Sequence, residues 1–234
     1  MNGYSYGYGV DLSYLIYVIP PLIFALWAQF RVKSAFAKYS KVPSERGMSG
    51  ADAARMVLNA NGLGTVHIER ITGELTDHYD PKANVIRLSQ STYDARTAAA
   101  VGVAAHEAGH AAQYAAQYFP IRIRAAIIPM TKIGSNLAFP LVMLGFLLSF
   151  QPLVYIGIAF FGLAVLFQLV TLPVELDASR RALVCLRDAG LSDESVTAAK
   201  KVLTAAALTY VAALASAIGN FLRLLSIANR GKRR

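Results

Sequence analysis

Charge-free stretches organise this chain. No Asp, Glu, Lys or Arg occurs in residues 12–30, 133–174 or 202–222, and each of these runs is mainly apolar. Each also reaches the roughly 18 residues that mark a helix able to cross a bilayer. The middle run is too long for one crossing, and Gln151-Pro152 divides it into the two arms of a helical hairpin. Pro20-Pro21 stands inside the first run and is expected to kink a membrane helix that tolerates it.

Between these runs the pattern shortens. Ser49 reads as the N-cap of a helix over 50–60, with Ala53, Ala54, Val57 and Leu58 on one face and Asn61-Gly62 as its stop. Residues 66–71 and 85–88 are rich in β-formers and predict two short strands joined by a polar loop. An Ala-rich helix is predicted over 97–119, stopped by Pro120. Beyond the second run a helix continues over 175–190, and Ser192 caps a long last helix over 192–228. The expected organisation is thus a first transmembrane helix (12–30), a part carrying the chemistry (31–132), a transmembrane hairpin (133–174) and two further helical segments. The fold class is mainly α, a membrane protein whose small β-hairpin or sheet packs on three or four transmembrane helices.

Composition agrees: of 234 residues, 55% are hydrophobic and only 16% charged, against roughly a quarter charged in soluble domains. The net charge of +9 does not indicate nucleic acid, because the basic residues stand at the ends of the apolar runs and no basic-aromatic recognition module accompanies them. Arg31, Lys33, Lys38, Lys41, Lys132, Arg180 and Arg181 sit where cytoplasmic flanks contact anionic headgroups. Orientation follows: the N-terminus lies outside, 31–132 inside, and the hairpin returns the chain inside at Glu175. The last helix either crosses, which sends its basic tail outside against the positive-inside tendency, or packs without crossing. Residues 1–11, rich in Gly and Tyr, read as a flexible end. They carry neither a basic stretch nor a cleavage signal, so the first run is expected to be a retained anchor. With the single Cys185, no internal disulfide forms.

The chemistry concentrates in His106-Glu107-Ala108-Gly109-His110. Histidines four residues apart on a helix project from one face, one turn apart, and can share one Zn²⁺. Glu107, about 100° further round, reaches a metal-activated water as general base rather than the metal itself. Gly109 removes a side chain next to the metal and lets another element approach. A third ligand is required. Cys185 lies among aliphatic residues, and His67 and His78 belong to a strand and a loop. Glu175, where an apolar run re-emerges, is the better choice, since an uncompensated carboxylate there is costly. Asp177 either accepts the far N–H of a ligating histidine or pairs with Arg180 or Arg181. Tyr210 and His78 are candidates for a second catalytic donor to the developing oxyanion, and the strand at 85–88 is a candidate for pairing with an extended substrate.

Three segments together resemble the YugP-like, or neutral zinc metallopeptidase, family of bacterial membrane proteases. They are Asp77-His78-Tyr79-Asp80-Pro81, Val85-Ile86-Arg87-Leu88-Ser89, and the stretch Ala104-Ala105 through His110 to Gln113; Glu175-Leu176-Asp177-Ala178-Ser179 fits the same pattern. The likeness runs nearly the whole length of the chain. The family is similar in outline to the HtpX/Ste24 membrane proteases, in which a later-helix Glu completes the site. The resemblance implies a zincin-like, gluzincin-type metalloendopeptidase of the plasma membrane, with one Zn²⁺ per chain and Glu175 as third ligand. It also implies protein or peptide substrates, themselves expected to be membrane-associated. No feature names the substrate or a regulatory membrane partner. Two rival readings compete with this one: a protease cutting at bilayer depth, disfavoured by Gln113, Tyr114, Gln117 and Tyr118 beside the motif, and a metal-binding scaffold, in which Glu107 has no task.

Overall fold

A computed structural model describes residues 12–231. The Gly/Tyr-rich segment 1–11 and the basic tail 232–234 lie outside the described residues. The chain runs through α1 (Leu12–Tyr17), α2 (Ile19–Tyr39), a 3₁₀ turn (Glu45–Gly47), α3 (Gly50–Ala60), β1 (His67–Ile71), β2 (His78–Asp80) and β3 (Val85–Ser89). The remaining helices are α4 (Gln90–Tyr93), α5 (Ala98–Ala115), α6 (Phe119–Leu147), α7 (Gln151–Asp188) and α8 (Asp193–Gly231). Among the described residues, four helical stretches are long and apolar enough to cross a membrane: Leu12–Tyr39, Phe119–Leu147, Gln151–Asp188 and Asp193–Asn229. The protein is a mainly α membrane protein with one small sheet.

The helices outrun the apolar runs. In the first stretch the break falls at Val18, two residues ahead of the site expected from Pro20-Pro21, because those prolines occupy the first turn of α2, where a missing N–H costs nothing. Pro120 behaves likewise. Helix α5 ends at Ala115, where Gln117 takes a left-handed conformation (φ 51°) and the Tyr118 N–H closes back on the Gln113 carbonyl at 3.0 Å. Pro120 then starts α6 rather than stopping α5. Helix α7 passes without interruption from the apolar run through Glu175 to Asp188.

The α6–α7 hairpin closes at Ser149 and packs through small residues: Cβ atoms on Gly145 or Gly157 would run into Val154 and Val142. Apolar helices can approach closely only where side chains are this small. Its open end brings Arg124 to Glu175 at 3.2 Å.

The polar part builds outward from α3 and α5. Ser49 and Asp52 form a reciprocal capping box, the Asp52 N–H donating to Ser49 Oγ at 3.1 Å and the Ser49 N–H to Asp52 Oδ2 at 2.9 Å. The face of α3 read from the sequence is fully buried, with Ala53, Ala54, Val57 and Leu58 joining Ile86 and Leu88 from the sheet and Ala104 and Ala108 from α5. The small sheet contains both strands expected from the sequence and adds a third. Its order is β1-β3-β2, with β1 parallel and β2 antiparallel to β3. The added strand β2 turns back through Asp80, whose Oδ1 accepts the N–H groups of Lys82 (3.0 Å) and Ala83 (3.2 Å). Central β3 has both edges occupied, so it cannot pair with a substrate strand. The candidate role expected for 85–88 is excluded, and the free edge nearest the motif belongs to β2.

Candidate active site

Helix α5 carries the motif and is buried almost throughout. Thr97 caps it, with Oγ1 accepting the Ala100 N–H at 3.3 Å. Its alanines and glycines let three neighbours close in. Gly109 faces α7, and a Cβ there would collide with the Ala178 carbonyl; Gly102 faces α8, where a Cβ would lie 3.3 Å from Ala199. The first of these contacts sets the level at which α7 meets the histidines.

At that level Glu175, 3% exposed, turns Oε2 to both imidazoles, 3.2 Å from His106 Nε2 and 3.4 Å from His110 Nε2. The rings meet edge to face, centroids 4.7 Å apart. The donor atoms of His106, His110 and Glu175 all lie within 4.8 Å of one another, close enough to hold one metal ion. The far side of each imidazole is also tied. His106 Nδ1 lies 3.0 Å from Ser179 Oγ, and His110 Nδ1 lies 3.0 Å from Gln113 Oε1. The Gln113 amide is oriented because its Nε2 donates to the Val174 carbonyl (2.7 Å) and to Asp177 Oδ2 (3.0 Å). With Oε1 as an acceptor, the Nδ1 proton of His110 is the one held in place, so Nε2 is the nitrogen left to give up its proton and offer a lone pair when a metal binds. Burial lowers the His110 pKa, but the Glu175 hydrogen bond and the charges of Glu107 and Glu175 outweigh it, so the metal-free imidazole holds its proton above the ordinary histidine value.

Glu107 is also buried. Its Oε2 accepts the backbone N–H of Tyr79 at 3.1 Å, so the edge strand β2 holds the carboxylate. A cavity of about 150 Å³ joins Glu107, His106 and Glu175 to Ser179 on α7, to Ala206, Ala207 and Tyr210 on α8, and to Leu75 and Asp77 in the loop before β2. Asp77 is anchored by accepting the Ser89 N–H at 2.8 Å.

The sequence candidates separate accordingly. His106, Glu107, Glu175 and Tyr210 line one cavity, and His110 joins them from behind through Glu175. Asp177 lies close by but touches neither histidine. Arg180 and Arg181 bind it at 2.6 Å each, and Gln113 stands between it and His110. His78 is not brought in: its side chain is exposed at the start of β2, with Nδ1 2.8 Å from the Thr76 carbonyl, and it does not line the cavity. An alternating strand that turns Tyr79 toward the motif turns its neighbour away. His67 is exposed on β1, and Cys185 packs against the core beside Asn61. Four contributors were not foreseen: Gln113, Ser179, Arg124 and the Tyr79 N–H. Gln113 stands three residues after His110 and Ser179 four after Glu175, so helical spacing could have found both. Arg124 and Tyr79 carry no such local signal.

A sequence model of the family described as "Putative neutral zinc metallopeptidase" matches residues 14–229. The chain belongs to that family. It is also 43% identical over 222 residues to the "Putative membrane protease YugP" of Bacillus subtilis (strain 168), a match covering 94% of this chain and 99% of that protein. No solved structure matches. Zinc, which membership of the neutral zinc metallopeptidase family implies, fits the donors present: two imidazole nitrogens with tied Nδ1 atoms and one buried carboxylate oxygen.

Proposed function

We propose that this protein is a multi-pass membrane metalloendopeptidase whose single Zn²⁺ is held by His106, His110 and Glu175, with Glu107 as general base. The observation that carries the reading is the convergence of three zinc-type donors within 4.8 Å beside a buried glutamate that, among the described residues, is tethered through one oxygen. Such a tether restricts the carboxylate without occupying both of its oxygens.

Bound zinc supplies a Lewis acid that makes water nucleophilic near neutral pH and stabilises negative charge on a carbonyl oxygen. Glu107 takes the proton of the attacking water and delivers it to the leaving amine nitrogen. The Tyr79 N–H keeps Glu107 turned into the cavity through this exchange. Ser179 and Gln113 hold the two imidazoles in the ligating tautomer and orientation. Tyr210, which lines the same cavity, donates a hydrogen bond from its hydroxyl to the carbonyl oxygen as negative charge develops there. The site opens on the cytoplasmic side, next to the bilayer, and takes protein or peptide segments from membrane-associated substrates. Arg124, Asp177, Arg180 and Arg181 around the centre favour this juxtamembrane depth over the bilayer midplane, where such a cluster is costly.

The test is metal content and peptide cleavage by protein purified in detergent. Wild type is expected to carry one zinc per chain, and Glu175→Ala and His110→Ala to lose it. Glu107→Gln is expected to keep zinc while turnover falls by about 10²–10⁴. Undiminished cleavage by Glu107→Gln would remove the general base from this reading.

A further inference from the structure

A second hollow, of about 580 Å³, lies between α2 and α8, on the opposite side of α8 from the metal site. Four cations line it: Arg31 and Lys38 from α2, Lys200 and Lys201 from α8. Ser34, Tyr39, Thr197 and Thr204 add hydroxyl-bearing side chains to its lining, and no carboxylate contributes. None of the four cations forms an ion pair among the described residues. Arg31 leans on the Trp27 ring at 5.8 Å and Lys38 on Tyr39 at 5.6 Å, contacts that leave their charge available.

The depth of the hollow narrows the ligand. Helices α2 and α8 run antiparallel, since Gly219 packs under the Tyr17 carbonyl at one end while Tyr39 clusters with Ala198 and Val202 at the other. Arg31 is the first charge after the uncharged run 12–30, and Lys200 and Lys201 are the last before the run 202–222. The hollow therefore sits where both apolar runs end, at headgroup level, with Ala35 and Leu208 in its wall. On the side away from the membrane, Lys201 also borders a separate hollow containing Glu45, Asp193 and Glu194. Those carboxylates repel an anion from that side and leave the bilayer side as its source. Basic pockets between helices at this level suit the phosphate of an anionic lipid, with long lysine stems lying along apolar surface.

We propose that the hollow between α2 and α8 binds the phosphate headgroup of an anionic phospholipid. The assignment is independent of the peptidase reading. The bound lipid braces α8, whose other face carries Leu203, Ala206, Ala207 and Tyr210 into the metal-site cavity.

The experiment is native mass spectrometry and thermal melting of the full chain in detergent. The probes are phosphatidylglycerol, phosphatidylcholine and inorganic phosphate, added separately. Wild type is expected to retain one phosphatidylglycerol and to melt higher with it, and to do neither with phosphatidylcholine. Lys38→Ser/Lys201→Ser is expected to weaken phosphatidylglycerol retention by at least about tenfold. Lys33→Ser/Lys41→Ser removes the same charge nearby but outside the hollow, and is expected to behave as wild type. Equal losses in the two double variants would overturn the site in favour of diffuse surface charge. Equal retention of phosphatidylcholine would overturn the requirement for an anion. A full stabilisation by inorganic phosphate alone would overturn the lipid and leave a free-anion site.

Discussion

Helices α5 and α7 each bring chemistry to the same point, but they are built differently. Helix α5 is short, Ala-rich and enclosed by α3, α7, α8 and the sheet, so its motif is buried together with the helix that bears it. Helix α7 is 38 residues long, and much of its first two-thirds faces outward, with Tyr155, Ile156, Leu166 and Leu169 exposed. Its early buried residues, Val154, Gly157 and Ile158, pack against the neighbouring apolar helices, whereas Val174, Glu175, Asp177, Ala178 and Ala182 in its last third turn toward the motif-bearing part of the protein. On α5 the spacing of His106, Glu107 and His110 is fixed by the helical repeat alone. On α7 the placement of Glu175 depends on the level at which one helix slides against another. The metal site thus joins a locally encoded half to a half encoded by packing.

The sharpest way to break that join is Gly109→Val. Its side chain would occupy the space of the Ala178 carbonyl and force the helices apart. The expected cost is about 3 kcal/mol, the upper range for overpacking, together with loss of zinc although every ligand remains. Calorimetry and metal analysis check both. A variant with wild-type zinc and melting temperature would show that the level of α7 is set elsewhere.

This division explains what the sequence could disclose. Charge-free runs locate the apolar crossings because desolvating a charge is costly wherever it falls, and the metal motif is visible because its geometry is a helix repeat. Glu175 stood out for a similar reason, as an acid emerging from an apolar run. Pro120 begins α6 instead of stopping α5, because proline suits both positions and the left-handed turn at Gln117 that decides between them has no strong residue signal. The third strand was hidden in three residues, His78 to Asp80, whose pairing with β3 is non-local. Arg124 reaches Glu175 only because the α6–α7 hairpin closes where its glycines permit.

A smaller perturbation separates ligand placement from ligand orientation. Gln113→Leu keeps a residue of similar size on α5 but removes the acceptor for His110 Nδ1 and two donations to α7. Outer hydrogen bonds to metal-bound histidines contribute about 10–100-fold in metal affinity, and a loss in that range is expected by competition with a chelator. Because Asp177 retains Arg180 and Arg181, its own position should hold. Unchanged zinc affinity would mean that the helix rotamer, and not the glutamine, orients His110.

The smallest expected effect tests whether the two imidazoles are supported alike. His106 is steadied from α7, by Ser179 Oγ at 3.0 Å, whereas His110 is steadied from its own helix by Gln113. Ser179 lines the open cavity and Gln113 is fully buried. Water can replace the serine hydroxyl once it is removed, because a hydrogen bond through water loses little. It has no comparable access to the glutamine. Ser179→Ala is therefore expected to lower zinc affinity by less than about tenfold, below the range for a fully buried partner. Chelator competition on both single variants and the double variant measures this directly. If the two losses simply add, each histidine is oriented independently by its own helix contact. A double variant no worse than Gln113→Leu would mean that His110 fixes the metal and His106 follows it. In that case α5 alone, through its local repeat, would set the geometry that α7 completes.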